Sequence, residues 1–310
     1  MMQHEFQQHD WGSPLDDDCR QIVRLAVRED LDRGQDWTTV SLIPAGSKGT
    51  AEVVVRTDGV VAGLAAAETV LCEMDTQVRW VAHVEDGAVV KAGQSVARLE
   101  GSTRDILTSE RIILNFLGHL SGIATLTRAF VDRVAGTKAE IYDTRKTTPA
   151  WRRLEKYAVR CGGGRNHRTG LFDAILIKDN HLAFVMRHAE HDAESTLTAA
   201  YQKARRFIED HPELDADTMI VEVEVDDLAQ LRSILSTKPD VVLLDNMMPA
   251  TLREAVLLRN TTYPEVILEA SGGVNLETVA TLAQTGVDRI SVGALTHAAA
   301  WLDVGLDWQT

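Results

Sequence analysis

The sequence is poor in cysteine and contains no cysteine pair. Its 310 residues include only Cys19, Cys72 and Cys161, which lie far apart and form no Cys-X-X-Cys motif. Such usage is typical of a reduced, cytoplasmic protein. Long apolar runs are also missing, since none approaches the ~20 residues that span a bilayer, and the polar first residues show no secretory signal. We therefore expect a cytoplasmic protein with no membrane partner.

Positive charge is scarce as well. The chain has 46 acidic side chains against 32 Lys and Arg, a formal net charge of −14. Nucleic acids attract proteins with a basic face, so no nucleic-acid partner is expected. One segment, 143–181, departs from this balance with nine Lys and Arg and four acids. A basic island in an acidic chain costs self-repulsion unless it receives an anion, so it predicts a pocket for a small polyanionic substrate.

The pattern along the chain changes near residue 139. Before it, 16–32 predicts a helix, 48–101 predicts a small and largely antiparallel sheet, and 104–134 predicts two helices broken near Ser121-Gly122. After it, short apolar strands alternate with amphipathic segments, which is typical of parallel strands covered by helices. The predicted strands are 139–143, 174–178, 219–225, 241–245, 266–270 and 289–293.

Polar residues fall at, or just past, the carboxyl end of every predicted strand in this second part. They are Arg145, Lys146, Lys178, Glu224, Asp245, Ser271 and Gly293. In a β/α barrel this end of the strands carries the active site, and its last loops often bind a phosphate. A doubly wound sheet would also bind ligands at strand ends, but usually at a single crevice. Six occupied strand ends favour the barrel.

The basic residues suit an anionic substrate. Lys178 ends the apolar run 174–177, where a charge needs a partner. Arginine binds carboxylates with two parallel hydrogen bonds, and lysine adds a compact charge for phosphate. Together with His167 and Arg168, which follow a glycine run, Lys178 therefore predicts one anion-binding group.

The acidic residues suggest a second role. Glu222 and Glu224 alternate with valines, so both face one side of a strand. Glu224 and Asp245 end neighbouring strands, where two carboxylates can hold Mg²⁺ and sugar hydroxyls or stabilise a developing cation. The alternative is an ion pair between these acids and the basic residues.

Glycine turns complete the candidate site. Ser271-Gly272-Gly273 and Gly293 follow two strands, where glycine lets backbone N–H groups approach a phosphate. His188 and His191 have no cysteine or carboxylate cluster to support a metal site, so we expect them to be solvated.

At this point the motifs resemble those of the quinolinate phosphoribosyltransferase family, in order and over nearly the whole chain. The central block KYAVRCGGGRNHRTGLFDAILIKDNH is the most specific of them. The others are REDLDRGQDWTT, SERIILNFLGHLSGIAT, DTRKTTP, VEVEVDDL, LLDNM, LEASGGV and ISVGALTH.

The resemblance implies an α/β fold: an α+β open-sandwich domain at 1–118 and an incomplete parallel β/α barrel at 119–296, with 297–310 packing back on the first domain. It implies the transfer of a phosphoribosyl group to quinolinate with Mg²⁺, giving nicotinate mononucleotide, pyrophosphate and CO₂ for NAD synthesis. It also implies at least a homodimer, in which Arg111 reaches the neighbouring subunit's site.

The substrate-binding residues carried over are Arg111, Thr144, Arg145, Lys146, His167, Arg168, Lys178, Glu224, Asp245, Ser271, Gly272, Gly273 and Gly293. Of these, Lys146, Lys178, Glu224 and Asp245 are expected to be catalytic, and Glu224 and Asp245 to face Mg²⁺ largely through substrate and water.

Three alternatives remain open. The first is another phosphoribosyltransferase of the same fold, such as the type associated with molybdate transport, which competition with quinolinate would reveal. The second is a barrel aldolase with Lys178 as a Schiff base, which the flanking anion-binding residues argue against. The third is a biotinyl- or lipoyl-like carrier at 84–101, which lacks the exposed Met-Lys-Met hairpin that such a module needs.

Overall fold

The computed structural model describes residues 5–186, 193–215 and 218–309. Its helices are α1 Ser13–Leu31, α2 Trp37–Leu42, α3 Leu64–Glu73, α4 Thr103–Val134, α5 Arg152–Cys161, α6 Asp179–Met186, α7 Ala193–Glu209, α8 Leu228–Leu235, α9 Pro249–Thr262, α10 Val279–Ala283 and α11 Ala294–His297. Its strands are β1 Lys48–Val55, β2 Gly59–Val60, β3 Val78–Ala82, β4 Val89–Val90, β5 Ser95–Ser102, β6 Glu140–Tyr142, β7 Ala174–Ile177, β8 Ile220–Val225, β9 Val241–Asp245, β10 Ile267–Ser271, β11 Arg289–Ser291 and β12 Val304–Trp308.

The chain forms two compact units, each drawn from several stretches of sequence. The barrel unit comprises 1–8, 130–145 and 165–294, and the sandwich unit comprises 9–129, 146–164 and 295–310. None of the helices in the described ranges has the length and apolar character needed to cross a membrane.

The sandwich unit contains a four-stranded antiparallel sheet with strand order β12-β1-β5-β3. The largely antiparallel sheet expected from the glycine-punctuated segment is thus confirmed. The C-terminal strand β12 is its edge, and Val53 lies opposite Leu306 there. Helix α1 buries Leu15, Cys19, Ile22 and Val23, the face that its helical spacing predicts.

The expected helix break at Ser121-Gly122 is wrong, because α4 runs through it without interruption from Thr103 to Val134. Gly122 serves packing instead. A Cβ atom there would lie 2.2 Å from the carbonyl oxygen of Ala300, so only glycine lets this backbone approach the helix.

The barrel unit is built on a parallel sheet of six strands in the order β6-β11-β10-β9-β8-β7. The six strands match the predicted ones within a few residues. Because β6 and β7 are the two edges, the barrel is incomplete, as expected. The carboxyl ends of all six strands point the same way, which brings the residues that follow them to one face.

Side chains two residues apart on these strands share the interior, so the interior is layered. The first layer is apolar, and four of its side chains come from the first residues of β7, β8, β9 and β10. It consists of Phe6, Tyr142, Ala174, Ile220, Val241 and Ile267. Two residues further along β8 and β10 the inward side chains are Glu222 and Glu269, and two residues beyond these are Glu224 and Ser271. The polar layers therefore lie against this apolar layer, the apolar floor of the unit.

We predict that Gly122→Ala destabilises the protein. In an exposed helix this change stabilises by about 1 kcal/mol, but here the added methyl group meets backbone that cannot rotate away, and overpacking costs about 1–3 kcal/mol. Urea unfolding measures the change in free energy. Gly118→Ala is the matched control, because its Cβ would lie 3.1 Å from the Leu302 carbonyl oxygen and needs only a small shift. A Gly122→Ala protein as stable as the control would contradict this account of α4.

Candidate active site

The segment that carries His167 and Arg168 is held in place by a buried aspartate. Asp143 follows β6 and is fully buried. Its carboxylate accepts hydrogen bonds from Nδ2 of Asn166 at 2.7 Å and from the backbone N–H of His167 at 2.8 Å. The N–H of Arg165 donates to the carbonyl of Ile141 at 2.8 Å, so the segment lies along the strand. These bonds fix the backbone from which the two basic side chains project.

Arg168 forms one side of the site. It is 7% exposed, and its Nη1 donates to the carbonyl of Ala174 at 3.2 Å. Burial lowers the pKa of the Arg168 guanidinium, and the neighbouring Arg145 lowers it further. A buried guanidinium that also feels a second positive charge is stabilised by an anion, and a carboxylate matches the geometry of a guanidinium.

Lys178 and Glu224 face each other across β7 and β8. The Lys178 ammonium group forms an ion pair with Oε2 of Glu224, and the two side chains are 41% and 9% exposed. The sequence left two roles open for Glu224, contact with Mg²⁺ and sugar or an ion pair with a basic residue. The structure shows the ion pair. The pair also gives Lys178, at the end of an apolar strand, the partner that its position requires.

The ends of β9 and β10 are joined by hydrogen bonds. Asp245 lies opposite Ser271, and the backbone N–H of Asn246 donates to the Ser271 carbonyl at 2.9 Å. Nδ2 of Asn246 donates to Asp245 at 3.0 Å. Gly272 has a φ of +95°, and a Cβ there would lie 2.2 Å from Oδ1 of Asn246. The glycine predicted for phosphate binding is therefore also required by the turn itself.

The structure brings most of the predicted residues into the barrel unit. Those at or beyond its strand ends are Thr144, Arg145, His167, Arg168, Lys178, Glu224, Asp245, Ser271, Gly272, Gly273 and Gly293. Arg111 and Lys146 belong to the sandwich unit, where both are exposed. The Lys146 carbonyl accepts a hydrogen bond from Oγ1 of Thr296 at 2.7 Å. The roles of these two residues stay predictions. His188 and His191 lie outside the described residues.

One buried acidic group was not predicted. Nε2 of His167 lies 3.0 Å from Oε2 of Glu222 and 3.5 Å from Oε1 of Glu269, and both glutamates are fully buried. Burial and the neighbouring Glu222 charge raise the pKa of Glu269 to about 7. Burial alone would raise the pKa of Glu222, but His167, Arg289 and Arg168 together lower it. One feature of the sequence could have indicated this contact: Glu269 lies two residues before Ser271 and therefore on the same face of β10.

Comparison with known proteins shows the family to which the chain belongs. Residues 123–307 match the family model described as quinolinate phosphoribosyl transferase, C-terminal domain, and residues 36–121 match the model of the N-terminal domain. This chain belongs to the quinolinate phosphoribosyltransferase family.

Relatives in this family resemble the chain over nearly its whole length. The nicotinate-nucleotide pyrophosphorylase [carboxylating] of Mycobacterium leprae is 46% identical over 293 residues, which are 94% of this chain and 97% of that protein. The nicotinate-nucleotide pyrophosphorylase from Francisella tularensis superposes with a TM-score of 0.86 at 34% identity, covering 98% of this chain and 100% of the other. The corresponding structure from Ehrlichia chaffeensis gives a TM-score of 0.82 at 37% identity, covering 93% and 98%.

We predict that Gly272→Ala weakens binding of a phosphorylated sugar. The alanine would have to keep a positive φ, which costs on the order of 1–2 kcal/mol, and would displace Asn246 at the end of β9. Calorimetric titration with ribose 5-phosphate measures the loss. Gly136→Ala is the control, because it lies outside the proposed site, its φ of +84° carries similar strain and its Cβ meets no atom within 4 Å. Equal affinities of the two variants would show that the Asn246 contact does not shape the phosphate site.

Proposed function

We propose that this protein joins quinolinate to phosphoribosyl pyrophosphate and releases pyrophosphate and CO₂, giving nicotinate mononucleotide for NAD synthesis. The observation that carries the proposal is the buried Arg168 guanidinium, whose pKa the charge of Arg145 lowers further. Quinolinate has two carboxylates on adjacent carbons of a pyridine ring, and guanidinium groups bind carboxylates with paired hydrogen bonds. The family and its relatives, named for the same product, support the reaction.

The carboxylates account for the chemistry at the sugar. When pyrophosphate leaves C1 of the ribose, positive charge develops on the ring, and anionic groups held close to it lower the energy of that state. Glu224 and Asp245 end neighbouring strands and supply two such charges. Once the pyridine nitrogen is ribosylated, its positive charge accepts the electrons left when the adjacent carboxylate departs as CO₂.

Mg²⁺ fits the same two residues. Carboxylate oxygens are the ligands that Mg²⁺ prefers, usually with several waters and substrate phosphates. Lys178 occupies Oε2 of Glu224, so we propose that Glu224 and Asp245 contact the ion largely through water and substrate. Bound Mg²⁺ would neutralise charge on the pyrophosphate.

The direct test mixes purified protein with quinolinate, phosphoribosyl pyrophosphate and Mg²⁺. We expect nicotinate mononucleotide to form, and we expect nicotinate to be a poor substrate because it lacks the second carboxylate. Chromatography of the products decides between the two substrates. Equal or faster turnover of nicotinate would contradict the proposal, and failure of quinolinate to react or compete would favour another phosphoribosyltransferase of this fold.

We predict that Glu224→Gln and Asp245→Asn weaken use of the phosphoribosyl donor more than binding of quinolinate. Both changes keep the shape of the side chain and remove one charge. Loss of a hydrogen bond to a charged group costs about 1.5–3 kcal/mol, or roughly 10- to 150-fold in kcat/KM. Calorimetry with quinolinate alone gives the comparison. A loss of quinolinate affinity as large as the loss of turnover would contradict these roles.

We further propose a homodimer in which Arg111 completes the partner's site. Arg111 is exposed on α4, whereas the three residues that follow it, Ile112, Ile113 and Leu114, are buried. Arg111→Ala and Lys178→Ala homodimers should then each be nearly inactive. After subunit exchange, about a quarter of wild-type activity should return, because random pairing makes half the dimers mixed and each has one intact site.

Mass spectrometry confirms the exchange independently of activity. Arg104→Ala is the control, since this arginine lies in the first turn of α4, and its guanidinium donates to the Ile43 carbonyl within its own unit. Mixing Arg104→Ala with wild type should leave the specific activity at the average of the two parents. No recovery in the exchanged Arg111→Ala and Lys178→Ala mixture would show that Arg111 does not serve a partner.

A further inference from the structure

Beneath the proposed substrate layer lies a buried group of three side chains, and the proposed reaction gives no role to its two carboxyl groups. It consists of His167, Glu222 and Glu269. One nitrogen of His167 and one carboxylate oxygen of each glutamate all lie within 4.8 Å of one another. The glutamates are fully buried and His167 is 5% exposed. Burying two carboxyl groups side by side is costly unless they are paired, so their presence calls for a specific role.

The hydrogen bonds of His167 determine which ring nitrogen carries the proton. The backbone N–H of Arg168 points at Nδ1 with an N···N distance of 2.8 Å. Since that N–H is a donor, Nδ1 must be the acceptor and cannot carry hydrogen. The proton of the neutral ring is therefore on Nε2, which faces Glu222 and Glu269 at 3.0 Å and 3.5 Å.

An aromatic ring also packs against one face of the His167 imidazole. Phe6 stacks on the imidazole with a centroid distance of 4.2 Å and an interplanar angle of 26°. The imidazole is thus fixed at Nδ1, at Nε2 and on one face. The imidazole in turn fixes the backbone N–H of Arg168. We have proposed that the guanidinium of this arginine contacts quinolinate.

We propose that Glu222 and Glu269 are positioning residues, which hold His167 in its Nε2–H form and thereby set the backbone from which Arg168 reaches the pyridine dicarboxylate. They do not touch substrate. The inference rests on the proposed function for its kinetic consequence, but the state of the His167 ring does not depend on any activity.

A resident metal ion is the competing explanation for the same three side chains. Histidine and carboxylate ligands suit divalent transition metals. However, Arg168 and Arg289 both stabilise the charge on Glu222, and two guanidinium groups beside the same carboxylate repel a further cation. Three basic side chains, His167, Arg168 and Arg289, already surround Glu222 and supply the positive charge that a metal ion would bring.

The test compares two double variants. Glu222→Met with Glu269→Met removes both acceptors at similar volume, whereas Glu222→Gln with Glu269→Gln keeps amide oxygens that can accept the Nε2–H. Ile220→Val, one layer below on β8, controls for a general loss of packing. Long-range ¹H–¹⁵N spectra of the imidazoles report the protonated nitrogen of His167, and steady-state kinetics report KM for each substrate.

In the wild type we expect the Nε2–H form. The methionine variant should lose that form and raise KM for quinolinate roughly tenfold or more, a change of about 1.4 kcal/mol, with a smaller change for phosphoribosyl pyrophosphate. The glutamine variant should keep the ring form and most of the affinity, and Ile220→Val should keep both. If the methionine variant does not fold, the wild-type and glutamine spectra still decide the ring form.

Several results would overturn the proposal. These are a wild-type His167 protonated on Nδ1, one equivalent of tightly bound transition metal by elemental analysis, or a folded methionine variant with unchanged KM for quinolinate. If instead the wild type does not turn over quinolinate at all, the proposed function fails, while the spectra still show whether the glutamates hold the ring.

Discussion

The inward register of the parallel strands is the constraint on which the site depends. A strand turns every second side chain to the same face, so one register decides all the layers at once. With Ile220 in the apolar floor, Glu222 and Glu224 must both face the interior, and with Ile267 there, Glu269 and Ser271 must do so too. A slip of one residue on β8 would put both glutamates outside and valines at the strand end.

Charges of opposite sign lie close together in this interior. Glu224 is paired with Lys178, and Glu222 is stabilised by His167. Arg168 is the contrasting case, because burial and a second guanidinium lower its pKa and an added anion would relieve both effects. An anionic substrate would complete the electrostatic balance of the proposed site, which accounts for a basic segment in a chain of net charge −14.

Much of this site could be predicted from the sequence, because strand-end residues are visible wherever an apolar run stops. Lys178 and Asp245 were found in that way. Glu269 was not, because a single acid inside an apolar strand gives no sign of its partner, and His167 comes from a distant loop. The predicted break in α4 failed for a related reason: Gly122 admits the Ala300 backbone, and that contact is 178 residues away in sequence.

The most direct test of the central claim follows the carboxylate next to the ring nitrogen of quinolinate. Protein, Mg²⁺, phosphoribosyl pyrophosphate and quinolinate labelled with ¹³C at that carboxylate are mixed, and CO₂, pyrophosphate and nicotinate mononucleotide are quantified. The account predicts one labelled CO₂ and one pyrophosphate for each nicotinate mononucleotide, and no CO₂ without the phosphoribosyl donor. Label retained in the product, or CO₂ released without the donor, would contradict it.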